Sequence, residues 1–328
     1  MKRLEWVDAL KGFGIFCVTL GHLSCHQLIE TYIYSFRMFL FFFLSGFVRK
    51  DGENFVCKKT KSLLLPFLAW NTVSVFVGCL VTKDIAQSLR QLFLLDGEIC
   101  WNSPIWFLLL LYMGELAYTF IKKFIPHGGH IMIPVLLALW ALLPEKNVFL
   151  KLNILPVCLL FYILGNLCRP ICEKHKKGWL DKDRYVLPAC GILLGMSLLF
   201  GVVLNERISF TSPQFGNVLY CFIAGVAGVL FYVLLFQKCV FLSKSKVLSY
   251  LGRNSLIVMA VQYWFFNLYD RICARLGIGS IWYYRSTVKA VALSVGTIAV
   301  ICFMAELMKK LGNRSAFVRK LCLCLGVR

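Results

Sequence analysis

The sequence is poor in acidic side chains and carries no motif of a nucleic-acid-binding protein. Of the 328 residues only 16 are Asp or Glu, against 36 Lys and Arg, which gives a formal net charge of +20. In a soluble protein such a charge would favour nucleic acid as the partner, but no RNA- or DNA-binding module is visible. The cytoplasmic loops of membrane proteins are also rich in Lys and Arg. We therefore expect a membrane protein and no nucleic-acid partner.

Several further absences narrow the function. The 15 cysteines include no paired C-x-x-C array, and free cysteine packs as a small hydrophobic residue. His127 and His130 have no third ligand near them in sequence, so no metal site is expected. No internal repeat is evident, which gives no support for the repeats common in transporters. No cleavable signal peptide is expected either, because the Ala-x-Ala type of cleavage site is missing.

Apolar sequence is abundant. Hydrophobic residues make up 59% of the chain and the mean hydropathy is +0.73, whereas soluble domains are about 45–50% apolar. Runs of about 17–25 apolar residues, each long enough to cross a bilayer, recur along the whole chain. We predict an all-α, polytopic membrane bundle of about ten transmembrane helices, near residues 8–27, 33–48, 63–82, 104–121, 129–145, 152–168, 184–204, 217–236, 254–271 and 287–308.

The basic residues provide a test of this count. If the N-terminus is cytoplasmic, the predicted inner segments hold about 25 Lys and Arg and the outer segments about nine, as the positive-inside rule requires. An extra or missing span would invert every later loop and spoil the match. We therefore predict both termini in the cytoplasm, a membrane domain over residues 1–310, and a short basic cytoplasmic tail over residues 311–328.

Ionisable residues inside spans are costly and tend to mark functional sites. In the first span, Lys11 and His22 lie about 20° apart around a helix, and Asp8 lies about 40° from His22, so the three share a face. At 1.5 Å per residue, Lys11 and His22 are separated by about 16 Å along the helix axis. One polar stripe therefore runs from the predicted cytoplasmic surface into the membrane. From position alone, His22 is equally well explained as a buried structural histidine.

Three other spans carry polar side chains. Arg37 enters the second span near its outer end, where it either faces inward or snorkels to the interface. Glu115 in the fourth span faces a cavity or forms a structural ion pair. Gln262 in the ninth span is typical of a hydrogen bond between helices.

A lysine cluster precedes the third span. Lys58, Lys59 and Lys61 lie on the predicted cytoplasmic side, in the segment CKKTKSLLLPF. Lysines in such a cluster neutralise the phosphates of a nucleotide cofactor or bind lipid head groups. They can equally serve only to set the topology.

Several segments occur in an order that resembles one known family. The chain contains, in order, RLEWVDALKGFGIFCVTLGH, SFRMFLFFFLSGF, KSLLLPFLAWN and LSYLGRNSLIVMAVQYWF. This order is similar to that of the integral-membrane acyltransferase family 3, the polysaccharide O-acetyltransferases that include the fucose 4-O-acetylase group. The resemblance covers about residues 3–305. Its first-span matches are Arg3, Trp6, Asp8, Lys11, Gly12, Gly21 and His22.

The resemblance implies transfer of an acyl group, usually from acetyl-CoA, to a sugar hydroxyl of a surface polysaccharide or its lipid-linked precursor. It also implies a multi-pass protein of the bacterial cytoplasmic membrane, with membrane lipid and the polysaccharide biosynthesis machinery as partners. A sugar hydroxyl is a poor nucleophile, and a neutral imidazole, with an unperturbed pKa of about 6.5, can take its proton. We expect His22 to be the general base. We expect acyl-CoA at Asp8, Lys11, Lys58, Lys59 and Lys61, and the acceptor at Arg37, Glu115 and Gln262.

Two alternatives stay open. A transporter or flippase for a lipid-linked glycan would need ionisable residues along several spans, whereas here they concentrate in the first few. An inactive family member acting as a scaffold would explain three departures from the family pattern. Arg37 stands where histidine is common, Phe39 where proline is usual, and Gln262 where a further histidine is common. His22 is then the only histidine in a matching motif.

Overall fold

The computed structural model describes residues 4–23, 25–82, 103–125, 128–143, 145–146, 148–174, 183–281 and 286–327. Within these ranges the regular structure is helical, apart from one isolated antiparallel bridge between Ser209 and Gln214. The predicted all-α class is therefore confirmed. The α-helices are α1 Glu5–Gly21, α2 Gln27–Phe47, α3 Phe55–Lys59, α4 Leu65–Thr82, α5 Trp106–Phe124, α6 Gly128–Leu142, α7 Leu155–Lys174, α8 Asp183–Leu198, α9 Val218–Lys238, α10 Val240–Ser243, α11 Lys246–Arg253, α12 Ser255–Arg275, α13 Thr287–Arg314 and α14 Ala316–Leu325.

Two π-helical turns and two 3₁₀-helices adjoin these α-helices. A π-helical turn, Thr60–Leu64, joins α3 to α4, and a second, Leu199–Val203, continues α8. Short 3₁₀-helices, Ser103–Ile105 and Phe149–Ile154, precede α5 and α7.

Six helical segments in the described ranges are long and apolar enough to cross a membrane, which supports a multi-pass membrane protein. Each of the ten predicted spans overlaps a helix, but α1 has only 17 residues, and α5, α6 and α12 are not among the six. The count of ten and the orientation of the termini therefore stay predictions. The six segments are Gln27–Phe47, Phe55–Leu80, Phe149–Cys172, Tyr185–Val203, Val218–Lys238 and Thr287–Arg314.

The first two predicted spans had misplaced ends. Helix α1 ends at Gly21, before the predicted end at residue 27, and α2 begins at Gln27 rather than at residue 33. The physical reason is a cap: Nδ1 of His26 accepts a hydrogen bond from the Leu28 backbone amide at 3.4 Å. Such a cap satisfies a backbone donor at the helix start. His22 consequently lies at the C-terminal end of α1, in the turn that leads to α2.

Two pairs of glycines let helices approach at backbone distance. A Cβ atom on Gly12 of α1 would overlap a backbone carbonyl of α11, and one on Gly252 of α11 would overlap a backbone carbonyl of α1. The same reciprocal relation joins Gly46 of α2 and Gly165 of α7. Small residues allow this close packing between membrane helices. These crossings bring α1, α2, α7 and α11 into one block that holds the candidate site.

Phe39, one of the departures from the family pattern, belongs to the core of this block. It is fully buried on α2 and its ring stacks on Phe161 of α7, with centroids 4.3 Å apart. Phe210 approaches it edge-on at 5.2 Å. Offset-stacked and edge-to-face pairs are the favourable aromatic arrangements, so Phe39 has a packing role.

The predicted tail packs on the bundle. Helix α13 continues to Arg314, and α14 folds back against α13 and α4. The indole Nε1 of Trp70 donates to the Leu325 carbonyl at 3.0 Å, and Val327 is buried. The proposed division at residue 310 stays a prediction.

Candidate active site

A small pocket of about 20 Å³ lies beside His22 and Arg37. His22 is half-buried, and its Nδ1 lies 3.2 Å from the hydroxyl of Tyr263 on α12. The two rings meet edge to face with centroids 4.9 Å apart. A volume of this size holds about one water-sized group. The imidazole is therefore oriented by a tyrosine next to a space that fits a single hydroxyl.

Arg37 reaches the same pocket from α2. It is 4% exposed, so it does not snorkel, and its Nη1 donates to the Val18 carbonyl at 3.1 Å. One turn earlier, the hydroxyl of Tyr34 donates to the Gly21 carbonyl at 2.9 Å. These carbonyls belong to the last turn of α1, which has no intrahelical partners for them. The contacts fix the end of α1, where His22 follows. The Arg37 Nε has no hydrogen-bond partner among the described residues.

Tyr34 lies between two guanidinium groups. Arg37 stacks over its ring at 3.5 Å, and Arg207 stacks over it at 4.0 Å. Arg207 pairs with Glu30 at 2.7 Å and is partly exposed. Cations over aromatic faces are attracted by the ring quadrupole. The stack therefore connects the small pocket to the surface at the predicted outer end of the bundle.

A large pocket of about 550 Å³ opens at the other end of the same block. Its volume lies in the range of about 300–1,000 Å³ usual for ligand sites. Asp8 and Lys11 of α1 line it together with Lys59, Glu115 and Arg253. Three of these five side chains are basic.

Glu115 forms the buried centre of a polar network beside the large pocket. It is fully buried and contacts the Lys59 ammonium and the Tyr162 hydroxyl, and its Oε2 lies 3.4 Å from Nη1 of Arg49. Intramembrane acids usually face a partner or a cavity, and Glu115 has both. Its ionic partners come from the α2–α3 connection and from α3, so the network ties these segments to α5.

The same network continues to the surface through Asp51. Arg49 donates to Asp51 at 2.8 Å, and Lys122 pairs with the other carboxylate oxygen. Partial burial alone would raise the pKa of Asp51, but hydrogen bonds from Lys122 and Arg49 hold the pKa below its usual value. Arg169 donates to the Arg49 carbonyl at 2.7 Å. Segments predicted to share the cytoplasmic side thus meet in one cluster.

The two pockets are neighbours. Phe41, Phe107 and Met259 line both of them. These three side chains form the boundary between the basic large pocket and the small pocket beside His22.

Comparison with known proteins decides the family. The family model described as an acyltransferase domain, acyltransferase family 3, matches residues 4–306. The chain belongs to acyltransferase family 3. No curated protein and no solved structure matches the chain significantly. The matched range runs from α1 through most of α13 and includes the residues that line both pockets, apart from Gly326. The resemblance found in the sequence is thereby confirmed at the level of the family.

The structure groups only some of the predicted site residues of this acyltransferase. Asp8, Lys11, Lys59 and Glu115 meet at the large pocket, and His22 and Arg37 meet at the small pocket. Three predicted residues lie outside both, namely Lys58, Lys61 and Gln262.

The residues outside the pockets have different surroundings. Lys58 and Lys61 are exposed. Gln262 is fully buried, and its Oε1 accepts a hydrogen bond from the Thr19 hydroxyl at 2.8 Å. This contact is the interhelical bond that its position in the ninth span favoured. Arg3 and His127 lie outside the described residues, within which no cluster of three metal-binding side chains occurs.

Sequence reasoning missed several site residues of this acyltransferase. Tyr263 and Arg253 lie in the segment LSYLGRNSLIVMAVQYWF, and Tyr34 lies one helical turn before Arg37. Arg207 lies in a loop that is predicted to be on the outer side. No periodicity pairs these residues with His22, because their contacts join segments far apart in the chain. Gly252, which precedes Arg253, is a local signal of close helix packing in this segment.

Proposed function

We propose that this protein is a membrane O-acyltransferase that moves an acyl group, in the first instance acetyl, from acyl-CoA to a sugar hydroxyl. The acceptor is a surface polysaccharide or its lipid-linked precursor in a bacterial cytoplasmic membrane, beside the polysaccharide biosynthesis machinery. One observation carries the proposal. His22 lies on a small pocket that adjoins, through three shared side chains, a large pocket lined by Lys11, Lys59 and Arg253.

The large pocket suits the acyl donor. Acyl-CoA carries phosphates at one end and its thioester at the end of a slender pantetheine arm. Lys11 and Arg253 offer positive charge to phosphates, while the charge of Lys59 is shared with Glu115. The volume of about 550 Å³ is that of a ligand site. The exposed Lys58 and Lys61 lie beside Lys59 in sequence and extend the positive charge on the predicted cytoplasmic side, where CoA is found.

The small pocket suits the chemistry. His22 takes the proton of the sugar hydroxyl while the hydroxyl oxygen attacks the thioester carbon. The carbon–sulfur bond then breaks, CoA leaves as the thiol with the proton returned from His22, and an ester remains on the sugar. Tyr263 holds the imidazole through its 3.2 Å contact to Nδ1. The buried Arg37, with an Nε that has no partner among the described residues, can donate to the oxyanion of the tetrahedral intermediate.

Replacement of His22 tests the proposal. His22→Ala is expected to lower acetylation of the surface glycan at least about 100-fold, because a general base contributes about 10²–10⁴ to the rate. Acetylation is measured by mass spectrometry of the glycan from cells that express each variant at equal level. His130→Ala, which removes an exposed histidine on α6, is the matched control and should keep full activity. Full activity of His22→Ala at normal protein level would refute the proposal.

A further inference from the structure

The boundary between the two pockets consists of three apolar side chains. Phe41 comes from α2, Phe107 from α5 and Met259 from α12, and each lines both pockets. The space changes abruptly across them, from about 550 Å³ to about 20 Å³. Reacting atoms must approach to about 3–3.5 Å. An acyl group that enters from the large pocket and reacts beside His22 therefore lies among these three side chains.

The aromatic side of the boundary is held firmly. Phe107 is 5% exposed, stacks on Phe42 with centroids 5.0 Å apart, and meets Phe41 edge-on at 5.8 Å. Trp106 contributes a further edge contact at 6.3 Å. Phe41 in turn lies over Gly14, where a Cβ atom would come within 3.2 Å of its ring. Rings packed on several sides in this way have little room to move.

Met259 forms the adaptable side of the boundary. It is 7% exposed and carries no aromatic ring. Its unbranched side chain has three rotatable bonds and fills irregular gaps. A change in the width of the boundary is therefore easiest at Met259.

We infer that Met259 sets the length of the acyl chain that the enzyme accepts, an inference that rests on the function proposed above. The space beside His22 holds about one water-sized group, which the acceptor hydroxyl fills, so the acyl chain has to fit among Phe41, Phe107 and Met259. A short acetyl group fits there, and a longer chain meets the thioether side chain of Met259. Discrimination of this kind amounts to about 10–200-fold per methylene in an apolar pocket. Shortening residue 259 removes the obstruction.

The test compares acyl donors. Membranes from cells that make the glycan and express the full chain are supplied with acetyl-, propionyl-, butyryl- or hexanoyl-CoA. CoA release is measured with a thiol reagent, and the release by His22→Ala is subtracted. We expect wild-type release to fall steeply with chain length. Met259→Ala should raise the butyryl-to-acetyl ratio about tenfold or more, and Met259→Leu, which conserves volume, should leave the ratio unchanged.

Matched variants keep the test decisive. Met304→Ala removes a half-exposed methionine on α13 that lines neither of the two pockets, and its ratio should equal that of the wild type. If Met259→Ala does not accumulate, Met259→Val carries the same test with a smaller shift. An unchanged ratio in a Met259 variant that still turns over acetyl-CoA would overturn the inference, as would an equal shift in Met304→Ala. Absence of His22-dependent release from every donor would instead refute the proposed function.

Discussion

Glu115 is the residue whose replacement most directly tests the polar network at the predicted cytoplasmic end. It is fully buried, and its carboxylate contacts Lys59, Arg49 and Tyr162. Glu115→Gln keeps the size of the side chain and removes its charge. The two cations then lose their shared counter-charge in a region of low dielectric constant, so the variant should be less stable.

The expected loss of stability depends on how well Arg49 and Lys59 are compensated once the charge of Glu115 is removed. Removing one member of a buried ion pair costs about 3–5 kcal/mol. Arg49 keeps Asp51 at 2.8 Å, and the side chain of Lys59 is 24% exposed and can reach water. Both features lower the penalty, so we expect the lower end of the range, about 3 kcal/mol.

Thermal unfolding of the purified full chain in detergent measures the effect. At about 2.1 cal/mol/K of unfolding entropy per residue, the 328 residues give about 0.7 kcal/mol/K, so Glu115→Gln should lower Tm by about 4 °C. Glu306→Gln is the control, because Glu306 is half-exposed and pairs with Lys309 in the same helix. Its effect should stay within about 1 kcal/mol. Equal Tm values for Glu115→Gln, the control and the wild type would refute the assigned role of the network.

Three further predictions concern the donor site, the helix crossings and the buried amide. Lys11→Gln should raise the KM for acetyl-CoA roughly tenfold, as loss of one charged contact implies. Lys289→Gln, which removes an exposed lysine on α13 outside both pockets, should leave the KM unchanged in the CoA-release assay. Gly12→Ala places a methyl group against the backbone of α11, which should lower the free energy of unfolding by about 3 kcal/mol and reduce the folded fraction on size-exclusion chromatography. Gly191→Ala, which has open space around it, should change the free energy of unfolding by at most about 1 kcal/mol. Gln262→Leu should retain activity in glycan acetylation, and a loss comparable to that of His22→Ala would show a direct role.

The sequence carries enough information for the helices and for one face of the first span. Apolar runs predict helices wherever the chain must satisfy its backbone inside lipid, and the described helices overlap all ten predicted spans. The stripe of Asp8, Lys11 and His22 also corresponds to the structure, since Asp8 and Lys11 line the large pocket and His22 lines the small one. Periodicity along one helix is sufficient for such a prediction.

Periodicity along one helix does not predict contacts between segments that are far apart in the chain. Lys59 faces Glu115 rather than standing with Lys58 and Lys61, because α3 packs on α5 and turns a single lysine inward. Periodicity in a five-residue helix gives no means of choosing which lysine that is. Likewise, nothing local in Gln262 distinguishes a ligand contact from its hydrogen bond to Thr19. The break between α1 and α2 was placed wrongly because the residue that caps α2 is His26. Histidine is not among the residues typical of helix N-caps, which are Ser, Thr, Asp and Asn.

The departure at position 37 follows from how α2 holds the end of α1. Helix α1 has no basic residue in its last turn, so its terminal carbonyls and the negative end of its dipole lack a cation of their own. Arg37 supplies one by binding the Val18 carbonyl. An arginine is always charged and cannot act as a base, whereas a histidine at position 37 could have shared the proton transfer. Arg37 therefore fixes the backbone that carries the imidazole and leaves His22 as the sole candidate base among the described residues that line the small pocket.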